Sequence, residues 1–143
     1  MIHKKDFEYK PDDNESEKAA NSYLMSVIAL MVGLPLPIIN LIATLIFFLG
    51  NRKGPYFVRW HCTQALMSQI TVLTMNSVGF YWTLNIIFGD LKLSNQYIAY
   101  IITIVLFNLI EFIFTLYTAI TTRKGQHVEW SFFGPITNLV CRP

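Results

Sequence analysis

Polar and apolar positions divide the chain into a charged beginning, three long apolar stretches and a mixed end. The first stretch, Tyr23 to Leu49, carries no charge, but Gly33, Pro35 and Pro37 sit together near its middle. Proline lacks the N–H of a helical turn and clashes with the turn before it, so the pattern predicts a break there rather than one straight helix. Each half is about a dozen residues, or roughly 18 Å of helix, against a bilayer core of about 30 Å. Either the stretch is one kinked span or its halves form a hairpin. The second stretch, about Tyr56 to Phe88, and the third, about Tyr97 to Thr122, are each long enough to cross a bilayer with tilt. The expected fold is an all-α integral membrane protein. It is a small bundle of about four transmembrane or half-membrane helices over 21–34, 37–50, 56–88 and 96–122, the first pair forming a proline-broken hairpin.

The flanks set orientation. Residues 1–20 form a polar tail, in which Lys4, Lys5, Lys10 and Lys18 are interleaved with Asp6, Glu8, Asp12, Asp13, Glu15 and Glu17. This tail is expected to stay in water, and its acidic crowding argues against a cleaved signal peptide. Asn14, with Glu17 three positions later, fits a helix N-cap. Basic residues recur at Arg52, Lys53 and Arg59 and again at Arg123, Lys124 and Arg142, whereas the loop after Phe88 has only Lys92. Lys and Arg are enriched on cytoplasmic flanks, so both termini and the central loop are expected on the cytoplasmic side of a bacterial inner membrane. An even number of crossings, or a re-entry, must then separate the tail from the central loop, which favours the hairpin. Residues 123–143 place Val128, Trp130, Phe132, Phe133, Ile136, Leu139 and Val140 among polar residues and Pro135. This segment is too broken to span and reads as interfacial, packed back on the bundle. Tyr56, Phe57, Trp60, Tyr97, Tyr100 and Trp130 read as anchors in the headgroup zone.

Composition extends the membrane reading to the whole chain. Of 143 residues, 53% are hydrophobic and 14% charged, with a mean hydropathy of +0.42. The net charge of +2 comes from 11 basic and 9 acidic residues without a long basic run, which removes nucleic acid as a partner. Cys62 and Cys141 belong to no C-x-x-C pair and read as unpaired thiols, so no metal and no cofactor is expected.

Polar residues inside the apolar stretches carry the candidate chemistry. In the third stretch Tyr97, Tyr100, Asn108, Glu111, Thr115, Thr118 and Thr122 recur at spacings of three and four, so they share one helical face. Glu111 lies near the middle, where an ionised carboxylate is costly unless protonated, paired or hydrated. It reads either as a proton-linked or substrate-contacting group, or as a hydrogen-bonded packing residue between helices. The second stretch has its own stripe of His61, Gln64, Ser68, Thr71, Met75 and Trp82. The two stripes could enclose a polar seam, with Asn40 and Thr44 as further contributors. His61 reads as a hydrogen-bonding residue at a helix start. His127 and Glu129 form an H-x-E, but no P-C-x-x-C follows, so no zinc deaminase is implied. There is no G-x-S-x-G, no H-E-x-x-H and no P-loop, and the expectation is a protein without enzyme activity.

The segment Gly54 to Leu66, with F-V-R-W-H-C-T-Q-A-L entering a membrane helix, resembles the signature of a small multi-span family. That family includes the twenty-kilodalton subunit of the chloroplast inner-envelope import translocon and short bacterial proteins. The run from Lys124 and Gly125 to Phe133 and Pro135 is similar to the family's ending. The resemblance implies a four-helix membrane bundle acting in a protein-conducting or assembly complex, and it transfers to Phe57, Val58, Arg59, His61, Gln64 and Ala65. Arg59 could hold phosphate headgroups, His61 and Gln64 could tie helix ends, and Ala65 permits close helix approach. The function expected is that of an accessory or scaffold subunit of a larger complex of integral membrane proteins in the lipid bilayer, in protein translocation, export or insertion. The alternative is a small channel or transporter with a polar seam around Glu111.

Overall fold

The structure, a computed structural model, describes residues 2–31 and 37–142. Its elements in order are β1 (Ile2–Lys5), α1 (Asp13–Met31), α2 (Pro37–Asn51), α3 (Tyr56–Ile87), α4 (Asn95–Arg123), β2 (His127–Trp130) and α5 (Phe133–Val140). The chain is mostly helical, and α3 and α4 are each long and apolar enough to cross a membrane. Gly33 and Pro35 of the expected break lie outside the described residues, while Pro37 opens α2. Helices α1 and α2 pack against each other and against α3, so the first apolar stretch is not one straight helix. Helix α1 also lies along α4.

Local chemistry fixes the ends. Asp12 Oδ1 accepts the Glu15 N–H at 2.6 Å, filling one of the orphan donors at the start of α1. The cap is therefore Asp12 and not Asn14, which lies within the first turn of α1. Ser94 Oγ accepts from the Tyr97 N–H at 3.3 Å to open α4. Helix α4 ends at Arg123 and the chain turns away at Gly125, whose φ of 74° suits glycine, with its N–H bonded to the Thr122 carbonyl at 2.9 Å.

The distribution of burial is inverted relative to a water-soluble domain. Ser26, Ser68, Gln69, Thr115, Thr118 and Thr122 are buried, whereas Ile42 and Ile46 of α2, Phe80 and Ile87 of α3 and Val105, Leu109 and Ile113 of α4 are exposed. Small residues explain how the helices approach. Ser16, Ala19, Ala20 and Ser26 of α1 and Thr115, Thr118, Ala119 and Thr122 of α4 are all buried, and small side chains let backbones come close where lipid offers no hydrophobic drive to associate.

Two features depart from the sequence expectation. The fold is not all-α: β1 and β2 pair antiparallel, Ile2 opposite Trp130 and Lys5 opposite His127. Four-residue strands are too short to show a period-2 pattern, and their pairing joins the two ends of the chain. The 1–20 tail is accordingly tied down by β1 and by the first turns of α1, where Ser16, Ala19 and Ala20 are buried. Trp60 and Trp130, expected as anchors, are buried within the protein. Each indole N–H has found an internal acceptor, Asn138 Oδ1 for Trp60 and Thr118 Oγ1 for Trp130, both at 2.7 Å.

Candidate functional site

At one end of the molecule β1, β2, α5, the start of α3 and the end of α4 form a polar head around a small core of Tyr23, Ala65, Ala119, Val128 and Trp130. Gln64, fully buried, organises it. Its amide nitrogen donates to Tyr23 Oη at 2.8 Å and to the Val128 carbonyl at 3.1 Å, and its Oε1 accepts the Trp130 N–H at 3.0 Å. Tyr23 Oη lies 2.8 Å from His61 Nδ1, and His61 Nε2 lies 3.2 Å from His127 Nδ1. The order that spends every proton runs from Gln64 to the Tyr23 hydroxyl, from Tyr23 to His61 Nδ1, and from the His61 Nε2–H to His127. Both imidazoles are then neutral and already committed as acceptors.

Beside this chain Glu129 is paired with Lys5 and accepts from Asn138 Nδ2 at 2.6 Å. Burial would raise its carboxyl, but the Lys5 ammonium and the Asn138 amide together hold it below the usual range. His127 is lowered to about 4, chiefly by burial, with Lys5 adding to the effect and Glu129 opposing it. Gly134 of α5 packs on Glu129 so closely that a Cβ there would meet Glu129 Cγ at 2.6 Å.

Below the head a polar seam runs between α3 and α4. Ser68 Oγ, Gln69 Nε2 and Thr115 Oγ1 all donate to Glu111 Oε1, at 2.6, 2.9 and 2.9 Å. One to two turns farther, Asn76 and Asn108 exchange amide hydrogen bonds at 3.0 and 3.1 Å. Farther still, Thr83 Oγ1 meets Tyr97 Oη at 2.9 Å and Tyr100 Oη donates to the Met75 carbonyl at 3.0 Å. A cavity of about 130 Å³ opens beside Glu111, lined by residues of all four long helices.

The structure thus brings Ser68, Asn108, Glu111 and Thr115 into one seam. Thr71 stands apart, since its hydroxyl bonds the Met67 carbonyl of its own helix. Phe57, Val58, His61, Gln64 and Ala65 are buried in the head. Arg59 sits at its edge, over the Tyr56 ring and bonded to the Arg142 carbonyl at 3.2 Å. Sequence reasoning missed Gln69, Asn76, Lys5 and Asn138, and passed over His127 and Glu129 as a chance H-x-E. Gln69 and Asn76, seven residues apart on α3, carry a periodic signal beside the stripe that was read. The head residues carry none, since they meet only through the strand pairing.

Residues 19–137 match the model of a family described as the MamF/MmsF magnetosome magnetite crystal formation protein family. The chain belongs to the MamF/MmsF family. This corrects the expected kinship with the chloroplast translocon subunit, and with it the setting of protein translocation loses its support. The resemblance rested on the segment Gly54 to Leu66 and on the run from Lys124 to Pro135, and the MamF/MmsF match takes in both. Within that segment Phe57, Val58, His61, Gln64 and Ala65 are buried in the head. No curated protein and no solved structure matches the chain.

Proposed function

We propose that this chain is a non-enzymatic integral membrane protein of the magnetosome membrane, serving magnetite crystal formation as an accessory or scaffold subunit beside other integral membrane proteins. The observation that carries this reading is the family match over 19–137. The exposed apolar faces of α2, α3 and α4 support a place in the bilayer, with α1 to α4 as a four-helix membrane bundle and α1 and α2 as its half-membrane pair. Helix α3 has 32 residues and α4 has 29, about 48 and 44 Å at 1.5 Å per residue. Both exceed a bilayer core of about 30 Å, and the surplus of each is the part built into the polar head. The head therefore stands in water on one side, on the cytoplasmic side by its basic residues.

The test is deletion of the gene in a magnetosome-forming host, followed by electron microscopy of the crystals. Crystals altered in size or number within membranes that still form, restored by the intact gene, are the expected result. Crystals indistinguishable from those of the parent strain would overturn the reading.

A further inference from the structure

The cavity beside Glu111 is a place where acceptors outnumber donors. It is lined by Ser26 of α1, Asn40 of α2, Gln69 of α3, and Asn108, Glu111 and Thr115 of α4. Ser26, Gln69, Asn108 and Thr115 each have a side-chain donor already engaged. Ser26 Oγ donates to the Tyr23 carbonyl at 3.0 Å, Gln69 and Thr115 donate to Glu111 Oε1, and Asn108 Nδ2 is shared between Asn76 Oδ1 and the Ile104 carbonyl. Two oxygens along the wall keep unspent lone pairs. Asn40 Oδ1 is buried without a hydrogen-bond partner, and three donors crowd Glu111 Oε1 while no hydrogen bond reaches Oε2 from the described residues. Glu111 has no ion-pair partner among the described residues.

A buried acceptor left unmatched, beside a carboxyl group that has no ion-pair partner, makes an oxygen-lined place for a positive guest. Oxygen ligands alone select a hard cation over one that prefers nitrogen or sulfur. One carboxylate balances one positive charge, whereas a divalent ion would leave an uncompensated charge in a low-dielectric surround. A volume of about 130 Å³ accommodates a small ion with two or three waters of about 30 Å³ each.

We propose that this cavity binds a small monovalent cation of the size of Na⁺, held by the Glu111 carboxylate, the Asn40 side-chain carbonyl and the hydroxyl oxygens of Ser26 and Thr115. The site stands on the fold alone and does not depend on the role in crystal formation.

The experiment measures equilibrium binding of radioactive Na⁺ to the full chain in lipid nanodiscs, with N-methylglucamine replacing Na⁺ at constant ionic strength. Saturable uptake of one ion per chain, displaced by Li⁺ but not by N-methylglucamine, is expected. Glu111→Gln keeps the shape and an oxygen for Ser68 to donate to, and it should weaken binding roughly tenfold or more. Asn40→Ala should weaken it severalfold, a second readout should the Gln variant not fold, and the melting temperature in N-methylglucamine reports whether each variant is intact. Absence of saturable binding, binding unchanged in both variants, or displacement by Mg²⁺ at concentrations comparable to Li⁺ would overturn the proposal.

Discussion

Gln64 has no charge and reaches no solvent, yet it joins α3 to α1 and β2 through three hydrogen bonds that use both its protons and its carbonyl. Gln64→Leu keeps roughly the volume but leaves the Trp130 N–H and the Val128 carbonyl buried and unpaired. Stranded groups of this kind cost about 1–3 kcal/mol each, so a loss of about 2–4 kcal/mol is expected in thermal or denaturant unfolding in detergent. Thr71→Val, by contrast, removes only a bond within its own helix and should stay within about 0.5 kcal/mol. Equal stabilities for the two variants would sink this account of the head. His127 supplies a pH dependence. Its pKa in the fold is about 4, against an ordinary value of 6.5, so the unfolded chain binds the proton first. Stability is complete above about pH 6.5, is lost as the pH falls from there toward 4, and amounts to at most about 3 kcal/mol for this group. Glu129 adds a second loss below its ordinary 4.5, since its folded value is depressed. His127→Gln should flatten the slope between pH 6.5 and 4 and leave the lower limb in place, which unfolding melts across that range would reveal. Spacing in the sequence placed Asn108, Glu111 and Thr115 on one face, because a helix repeats regularly. It carried no trace of Gln64 bonding to Val128, because that contact is made by the fold and not by any period.

At the scale of elements, the head is held by close fits at its two short strands and at α5. Glu129 is gripped at both ends, by Lys5 from β1 and by Asn138 from α5, and Gly134 leaves room for its stem. Gly134→Ala would drive a methyl into Glu129 Cγ, and the carboxylate cannot swing away without releasing Lys5 or Asn138. A loss of about 1–3 kcal/mol is expected, with the Glu129→Ala background absorbing most of it in a double-mutant cycle. Simple additivity of the two substitutions would show that the two residues do not compete for the same space. The two long helices were legible because α3 and α4 carry long apolar runs, and the end of α4 because Lys124 and Gly125 mark a stop. The strand pair was not. Ile2–Lys5 and His127–Trp130 are four residues each and meet across nearly the whole chain, and a local pattern cannot announce a partner that far away.

For the molecule as a whole, the fold gathers charge at one end. Of the 11 basic residues only Lys92 lies in the loop between α3 and α4; the others belong to the head, to the adjoining turns of α1 and α4, or to the connection from α2 into α3. The sequence displayed this asymmetry in separate pieces, and the structure collects the pieces because β1 brings the N-terminal lysines onto β2 beside the C-terminal segment. Lys and Arg are enriched on the cytoplasmic side of a bilayer, which is the basis of the proposed orientation. Glu8, in the head, and Lys92, in the far loop, are both exposed, and the proposed topology puts them on opposite sides of the membrane. With Cys62 and Cys141 buried and slow to react, single cysteines at these positions give a clean readout with a membrane-impermeant maleimide. Glu8→Cys should label on isolated, sealed magnetosomes and Lys92→Cys only after detergent has opened them. Labelling of both from the same side would mean that α3 and α4 do not cross. A reversed pattern would keep the crossing but turn the head away from the cytoplasm, and the charge argument would then fail while the length argument for α3 and α4 stood.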